Sequence, residues 1–262
     1  MTTVMKALSL AGKVAVVTGG AGLYGRQIVQ AIAEAGATTY IAARGMEALD
    51  RVADEERTRG YKVEALPLDL ASEASIEALH RTVIDRSGRC DVLVNNAVTR
   101  NKHAVWGGGM DAYDESLRIN ASALFKITHL FGETMRGQKS GSIINIGSMM
   151  GSVGVEAANY AGTDMHANPS PIYFYEKGGM LNFTRWAASI LGPDNVRVNC
   201  VSPGGLESGQ PAPFIEAYSS RTQLGRMANA TDLNGVIVFL ASDASAYITG
   251  ANIPVDGGYT AK

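Results

Sequence analysis

The sequence predicts an α/β fold, a doubly wound sandwich in which helices cover both faces of a seven-stranded parallel sheet. Short apolar runs bounded by glycine or polar residues alternate with longer segments of helical period, which is typical of repeated strand–helix units. Right-handed crossovers between such units place a ligand crevice at the carboxyl ends of the strands. The chain has 262 residues, 46% of them hydrophobic, so it can bury one large core, and we expect a single domain over residues 1–262.

Seven short apolar runs are predicted as the strands of this sheet. In chain order they are Lys13 to Thr18, Thr38 to Ala43, Lys62 to Leu66, Asp91 to Asn96, Ser142 to Gly147, Arg197 to Ser202 and Asn252 to Asp256. The segments between them carry apolar residues at helical spacing. They predict helices from about Tyr24 to Ala35, from Met46 to Thr58, from the cap Ser72 through Ile76, Leu79 and Val83, from Asp111 to about Arg136, from Tyr173 to Leu191, and from Thr231 to Ala241.

Two of these helices are apolar over more of their surface than one sheet can cover. One side of each can face the sheet, so we expect the other side to meet a partner subunit in a homo-oligomer, a dimer or a tetramer. Cover by the chain's own loops is the alternative. The residues concerned are Leu117, Leu124, Phe125, Ile127, Leu130 and Phe131 on the first helix, and Met180, Leu181, Phe183, Thr184, Ala187, Ala188, Ile190 and Leu191 on the second.

Charge and cysteine content narrow the class of partner. The formal net charge is −2, from 23 basic and 25 acidic residues, which offers no basic surface for nucleic acid or an anionic membrane. No apolar run approaches about 18 residues, and the N-terminal segment lacks the apolar region of a leader. Cys90 and Cys200 have neither metal-ligand nor disulfide spacing, and we expect them to be buried thiols. The expected ligand is a small molecule, without a metal site, and the expected location is the cytoplasm.

A glycine-rich turn follows the first predicted strand and opens the first helix. Gly20, Gly22 and Gly25 in VVTGGAGLYGRQI satisfy the pattern G-x-G-x-x-G. Glycine permits a tight turn and a close approach of the backbone to a pyrophosphate, which the free N–H groups and the dipole of the helix N-terminus attract. In this position the motif predicts a Rossmann-type dinucleotide site.

The end of the second strand bears on the choice between NADP and NAD. It reads IAARGMEAL, so Arg44 stands near the place where an acid would select NAD through the adenosine ribose. A guanidinium there can pair with a 2′-phosphate, which favours NADP(H). NAD(H) stays possible because Glu47 or Asp50 could reach the ribose and Arg44 could be a solvated cation at a helix start. Asp69 is a candidate for holding the adenine; otherwise it is a polar loop residue before the Ser72 helix.

Eight motifs occur along the chain in a characteristic order: TGGAGLYG, NNAV, RIN, IGS, Y-x-x-x-K, RVNCVSPGG, GRMA and VDGG. In this combination the chain resembles the short-chain dehydrogenase/reductase family over essentially its whole length. The resemblance implies an NAD(P)-dependent oxidoreductase with a catalytic group of Asn120, Ser148, Tyr173 and Lys177, and with Asn95 near the nicotinamide. The implied cofactor contacts, besides Tyr173 and Lys177, are Gly19, Gly22, Leu23, Tyr24, Gly25, Arg44, Asp69, Leu70, Asn96, Ala97, Pro203, Gly204 and Leu206.

Two positions depart from the pattern of the family. Leu23 stands where the phosphate turn usually has another glycine, and Val98 replaces the glycine that usually ends the motif NNAG. Neither change removes a reactive group. We therefore expect them to affect the geometry of the cofactor site, not the class of cofactor.

Three tyrosines in the segment NYAGTDMHANPSPIYFYEKGG compete for the role of acid and base. A phenol has a pKa of about 10, which must fall by roughly 2 to 3 units for proton exchange near neutrality. Tyr173 has Lys177 at i+4 on the same helix face, whereas Tyr175 points to a different face. Tyr160 has Asp164 at i+4, and a carboxylate there would raise the pKa of the phenol. These spacings favour Tyr173.

The spacing typical of the family agrees with Tyr173 if the chain carries an insertion. Ser148 and Tyr173 are farther apart than the family usually keeps, whereas Tyr160 stands at a more ordinary distance. We expect an insertion within Ser152 to Ser170, which leaves Tyr160 as a decoy. Pro171 suits the start of a separate helix that carries Tyr173.

The resemblance also implies a mechanism, in which hydride passes between the nicotinamide and a substrate carbon while Tyr173 moves the hydroxyl proton. Ser148 would hydrogen-bond the carbonyl oxygen, and Lys177 would lower the pKa of the tyrosine and hold the nicotinamide ribose. Asn120 would hold a water that links Lys177 to solvent. Alternatively, the amide of Asn120 satisfies backbone groups.

The insertion and two loops are expected to line the substrate pocket. One loop is TRNKHAVWGGGM after the fourth strand, and the other spans residues 204–221 and could close as a lid. Their polar side chains favour a small polar substrate such as a sugar, polyol or hydroxy acid. They are Arg100, Lys102, His103, Trp106, Asn159, Thr163, Asp164, His166 and Asn168.

Two other functions fit parts of the pattern. A catalytically silent nucleotide-binding scaffold or sensor would have no need for a lysine placed to ionise a phenol. An enoyl reductase usually has its lysine farther from the tyrosine than Lys177 is from Tyr173.

Overall fold

The computed structural model describes residues 3–165 and 170–261 and contains a wholly parallel sheet of seven strands. The strands are β1 (Val14–Thr18), β2 (Thr38–Ala43), β3 (Val63–Pro67), β4 (Val92–Asn95), β5 (Gly141–Ile146), β6 (Val196–Pro203) and β7 (Asn252–Val255). Their order is β3-β2-β1-β4-β5-β6-β7. The predicted fold class is confirmed, and the reversal of strand order between β1 and β4 opens a crevice at their carboxyl ends.

The helices follow the predicted alternation with strands. They are α1 (Val4–Leu8), α2 (Leu23–Glu34), α3 (Met46–Thr58), α4 (Glu73–Ser87), α5 (Met110–Leu117), α6 (Ala123–Gln138), α7 (Pro171–Leu191), α8 (Ala212–Ser219) and α9 (Asn234–Ala241). Ser72 caps α4 as predicted, because its hydroxyl accepts a hydrogen bond from the backbone N–H of Ser75 at 3.3 Å. None of the helices in the described ranges is long and apolar enough to cross a membrane.

Two predicted helices differ from the structure, and helix α8 was not predicted. The helix expected from Asp111 to Arg136 is divided into α5 and α6 by a π-helical segment, Arg118–Ser122. The last predicted helix begins at Asn234, not Thr231, because a turn precedes it. The lid segment contains a helix, α8, which the prolines around it concealed in the sequence.

Two apolar layers cover the two faces of the sheet. On one face α2, α3 and α9 contribute Ile28, Leu49 and Ile237, and on the other α4 and α6 contribute Ile76 and Phe131, all with no more than 2% of their surface exposed. Burial on both faces explains why the central strands are continuous apolar runs. The thiols of Cys90 and Cys200 are free and buried, as expected.

Candidate active site

A cavity of about 1210 Å³ lies at the carboxyl ends of the strands, and residues that follow each of the first six strands line it. All of the predicted cofactor residues line this cavity, and so do three of the four predicted catalytic residues. Their contact with a bound cofactor stays a prediction. Asn95 is an exception to the expected arrangement, because its side chain lies behind the cavity wall and donates hydrogen bonds to Thr128 and Asn145. The predicted site residues among those that line the cavity are Gly19, Gly22, Leu23, Tyr24, Gly25, Arg44, Asp69, Leu70, Asn96, Ala97, Ser148, Tyr173, Lys177, Pro203, Gly204 and Leu206.

The glycine-rich turn has the geometry of a phosphate cradle. Gly19 has a φ of +69°, and a Cβ at Gly25 would overlap the carbonyl oxygen of Gly19. Gly22 precedes α2 and supplies no side-chain cap, so the first N–H groups of the helix are available to an anion. The Asn96 amide holds the turn by donating to the carbonyl oxygens of Thr18 and Gly19, at 2.9 and 3.0 Å. These residues fit the pyrophosphate of a dinucleotide.

Leu23 leaves this cradle open. Its side chain is 66% exposed and lines the cavity instead of filling the turn. The departure from the family pattern therefore places an apolar side chain beside the predicted phosphate site without closing it.

Arg44 and Asp69 stand at the other end of the cavity. Arg44 follows β2, is exposed, and takes part in no salt bridge among residues 3–165 and 170–261. One Asp69 carboxylate oxygen accepts from the N–H of Ala71 at 3.0 Å, and the Asp69 N–H donates to the Ser75 hydroxyl at 2.9 Å. The carboxylate is thus fixed at the start of α4, which suits a role in holding an adenine.

Tyr173 and Lys177 occupy the first turns of α7. The Nζ atom of Lys177 lies 5.7 Å from the centroid of the Tyr173 ring and donates to the carbonyl oxygen of Ile146 at 2.6 Å. Burial raises the pKa of Tyr173, but the charges of Lys177 and Arg100, with the Ser148 side chain, outweigh it, so that the pKa lies below its ordinary value. Burial lowers the pKa of Lys177 itself. The phenol can therefore ionise more readily than a free tyrosine.

Tyr160 has the opposite environment. Its ring packs edge-on against Phe214, with centroids 5.3 Å apart, and burial raises the pKa of its phenol. The reason predicted from the sequence was wrong, because the chain leaves a short 3₁₀ helix at Tyr160 and Asp164 is not one turn away on a common face. Tyr175 is 70% exposed on the outer side of α7.

Asn120 lies behind the cavity wall, in the π-helical segment. Its Oδ1 accepts from the N–H of Thr99, and its Nδ2 donates to the Thr99 carbonyl oxygen and to Glu176 Oε2, each at 2.9 Å. These contacts match the alternative role considered for Asn120, because its amide satisfies the backbone of the loop after β4. That Asn120 holds a water stays a prediction.

The sequence reasoning missed Glu176, which lies between Tyr173 and Lys177 in the chain. Its Oε1 accepts from the Ser116 hydroxyl at 2.7 Å, and only 7% of the residue is exposed. Burial raises the pKa of its carboxyl group. A carboxylate in an otherwise apolar stretch of the predicted catalytic helix was the signal that could have identified it.

The end of the cavity predicted to hold the substrate is more apolar than the sequence suggested. Arg100 and Lys102 line it, but His103 and Asp164 do not, and Trp106 is 81% exposed outside it. Asn159 and Thr163 also lie outside the lining, and His166 and Asn168 lie outside the described residues. Most of this wall comes from the predicted insertion, α8 and their surroundings: Met149, Met150, Tyr160, Met165, Phe214, Tyr218 and Met227.

Comparisons with known proteins agree with this geometry. The family model described as "Enoyl-(Acyl carrier protein) reductase" matches residues 22–260. The chain is 34% identical over 258 residues to a 3-oxoacyl-[acyl-carrier-protein] reductase FabG of Aquifex aeolicus, covering 96% of this chain and 98% of the relative. It is 32% identical over 256 residues to a cyclopentanol dehydrogenase of Comamonas sp., covering 95% and 98%.

A similar solved structure is that of a gluconate 5-dehydrogenase from Burkholderia cenocepacia in complex with NADP and tartrate. It has a TM-score of 0.87 and 26% sequence identity, and the alignment covers 99% of this chain and 100% of that one. The motifs, the seven-stranded sheet, the large crevice at the carboxyl ends of the strands and these matches lead to one conclusion. The chain belongs to the short-chain dehydrogenase/reductase family of NAD(P)-dependent oxidoreductases.

Proposed function

We propose that the protein transfers a hydride between NADP(H) and a small alcohol or carbonyl substrate, with Tyr173 as acid and base. The observation that carries this proposal is the contrast among tyrosines in one cavity. The pKa of Tyr173 is lowered by Lys177 and Arg100 against the effect of burial. Burial raises the pKa of Tyr160, and it raises that of Tyr218 to about 12.

The side chains around Tyr173 support a division of labour. A bound nicotinamide supplies the hydride chemistry. The Ser148 hydroxyl would hydrogen-bond the substrate oxygen, and Tyr173 would accept or donate the proton of that oxygen. Lys177, held by the Ile146 carbonyl, would stabilise the phenolate through its charge. Asn120 and Glu176 would keep the loop after β4 in place behind these groups.

The preference for NADP(H) over NAD(H) is supported by Arg44. Its guanidinium lines the cavity beyond β2, with no acidic partner in the described ranges, and can pair with a 2′-phosphate. We expect Arg44→Asp to lower kcat/KM with NADPH and raise it with NADH. A preference of the unmodified protein for NADH would contradict the assignment.

The substrate class that the lining favours is a small hydroxy acid, among the sugars, polyols and hydroxy acids that the sequence suggests. Arg100 and Lys102 supply positive charge, while Tyr160 and Phe214 supply an apolar wall. A neutral sugar would leave the cations unused, and a long acyl chain would leave them beside apolar atoms. We also propose a homo-oligomer formed through the outer faces of α6 and α7, and a reducing, cytoplasmic location that suits the free thiols of Cys90 and Cys200.

Tyr173→Phe and Tyr160→Phe test the assignment in one assay. The absorbance change of NADPH is followed with a panel of oxo acids, ketones and enoyl thioesters. We expect Tyr173→Phe to abolish turnover of a carbonyl substrate and Tyr160→Phe to retain most of it. Retained activity in the first variant would contradict the role of Tyr173. Reduction of enoyl thioesters alone would contradict the proposed reaction.

A further inference from the structure

Arg100 is the cation of the cavity lining that stands beside Tyr173 from outside α7, and its guanidinium can do more than lower the pKa of that residue. It lies on the loop after β4, and its Cζ atom is 4.8 Å from the centroid of the Tyr173 ring. No salt bridge involves it in the part of the chain that the structure describes. It is thus a positive charge without an acidic partner in the described ranges, close enough to Tyr173 to lower the pKa of that hydroxyl.

Hydrogen bonds from the Asn120 amide fix the backbone next to Arg100. The neighbouring residue, Thr99, is held through both its N–H and its carbonyl oxygen by the Asn120 amide, at 2.9 Å each. Asn120 is held in turn by Glu176, whose carboxylate is buried between α5 and α7. This chain of contacts returns to the helix that carries Tyr173. The backbone next to Arg100 is thus fixed relative to α7, while the arginine side chain is exposed and lines the cavity beside Tyr173.

The surrounding groups leave Arg100 available to a ligand. Both Glu176 oxygens are occupied, by Ser116 and Asn120, and Lys177 is hydrogen-bonded to Ile146. A guanidinium has five N–H donors in a planar fork that matches the two oxygens of a carboxylate. A carboxylate is therefore the ligand chemistry that fits this position.

We propose that Arg100 binds a carboxylate of the substrate, so that the protein interconverts a hydroxy acid and the corresponding oxo acid. This inference rests on the proposed function and narrows its substrate class. In oxidation, the carbon–hydrogen bond breaks with both electrons passing as hydride to NADP⁺, and the hydroxyl proton passes to Tyr173, which leaves a carbonyl group. Because Arg100 stands beside Tyr173, the carboxylate is separated from the reacting carbon by only a few bonds. The wall that includes Met149, Tyr160 and Phe214 then faces the rest of the substrate.

The test compares each oxo acid with its own methyl ester, in the unmodified protein and in Arg100→Gln. We expect the unmodified protein to favour the acid by at least about tenfold in kcat/KM, as for a charge-assisted bidentate pair. Arg100→Gln should bring the ratio of acid to ester close to one. The ratio is informative because any effect of the substitution on Tyr173 acts on both substrates. Arg81→Gln, which removes an exposed cation of α4, serves as the control and should keep the unmodified ratio.

A binding measurement separates this inference from the proposed function. Saturated carboxylic acids and their amides, which cannot be reduced, are titrated calorimetrically into the protein with NADPH present. If the unmodified protein binds the acid but not the amide, and Arg100→Gln no longer binds the acid, the carboxylate site is supported. This holds even if the protein turns over none of the compounds, because the absence of turnover counts only against the proposed reaction. If Arg100→Gln prefers the acid over the ester, or over the amide, as strongly as the unmodified protein does, the proposed role of Arg100 is wrong. If Arg100→Gln does not fold, Arg100→Lys replaces it, and an unchanged ratio of acid to ester again overturns the bidentate contact.

Discussion

Single residues show which parts of the site a sequence can reveal. Tyr173 and Lys177 were predictable as a pair because i,i+4 neighbours share a helix face wherever the helix lies. The hydrogen bonds that join Asn120 to Thr99 and Glu176 were not predictable, because these residues lie on three segments whose proximity depends on tertiary packing. Arg100 was predicted to line the pocket, but its position over the Tyr173 ring required the structure.

The charge of Arg100 should be visible in the pH dependence of the reaction. In the oxidative direction Tyr173 must be a phenolate, so kcat/KM rises as the pH rises through its pKa. Because Arg100 helps to lower that pKa, Arg100→Gln should displace the rising limb to higher pH and reduce kcat/KM below it. The profile is measured with an uncharged alcohol, so that no substrate carboxylate neutralises the arginine. Arg100→Lys keeps the charge and should keep the limb near its original position; an identical profile for Arg100→Gln contradicts the prediction.

The buried carboxyl group of Glu176 should affect stability with a definite sign. Burial raises its pKa in the folded state, so the folded state binds the proton more tightly than the unfolded chain does. The contribution of Glu176 to the free energy of unfolding is therefore fully present below the pKa of the unfolded chain, about 4.3. It is lost as the pH rises through the pKa that Glu176 has in the folded state. Glu176→Gln cannot ionise and can still hydrogen-bond Ser116 and Asn120.

The measurement for Glu176 is the melting temperature of both proteins between about pH 4 and pH 7. We expect the melting temperature of Glu176→Gln relative to the unmodified protein to increase as the pH rises. Glu34→Gln, at an exposed position of α2, should show no such trend. A difference that is constant with pH, or that falls, would show that Glu176 does not titrate in this way.

Helices and strands differ in how clearly the sequence indicates them. The strands were found within a few residues because burial on both faces makes each a continuous apolar run. The π-helical segment was missed because helical periodicity in the sequence does not distinguish it from an α-helix. In this segment Asn120 contacts Thr99, which lies in a distant part of the chain. Helix α8 was missed because prolines surround its start, and because its buried residues Phe214 and Tyr218 acquire their apolar neighbours from distant segments of the chain.

The junction of β1 and α2 yields a test of the phosphate cradle. A methyl group at Gly25 would overlap the Gly19 carbonyl oxygen, so Gly25→Ala must displace the turn that faces the pyrophosphate. We expect the Kd for NADPH to rise at least about tenfold, which corresponds to about 1.4 kcal/mol. Gly137→Ala in α6 is the matched control, because a Cβ there meets nothing within 4 Å. Fluorescence titration gives both constants, and equal affinity in the two variants would exclude the turn as the phosphate site.

At the scale of the whole molecule, the outer faces of α6 and α7 form an apolar surface that the described residues leave uncovered. On α6 and α7, Phe125, Trp186 and Ile190 are 51%, 52% and 48% exposed, although both helices are buried on their inner sides. The rings of Phe125 and Phe183 lie 6.5 and 5.9 Å from that of Trp186, which makes one continuous apolar patch across the two helices. No loop within residues 3–165 and 170–261 covers these side chains, which speaks against the alternative of cover by the chain's own loops.

This patch predicts association with a second copy of the chain. Contiguous apolar surface of this kind marks an interface, and the same face on two copies can be joined by a two-fold axis. Light scattering after size-exclusion chromatography should give a mass of at least a dimer for the unmodified protein, and a smaller mass for Trp186→Glu because an unpaired charge is costly in an apolar interface. Tyr247→Glu, at a side chain that is 104% exposed and outside the patch, should leave the mass unchanged. A monomeric unmodified protein, or a Trp186→Glu variant that keeps its full mass, would mean that α6 and α7 do not form the interface.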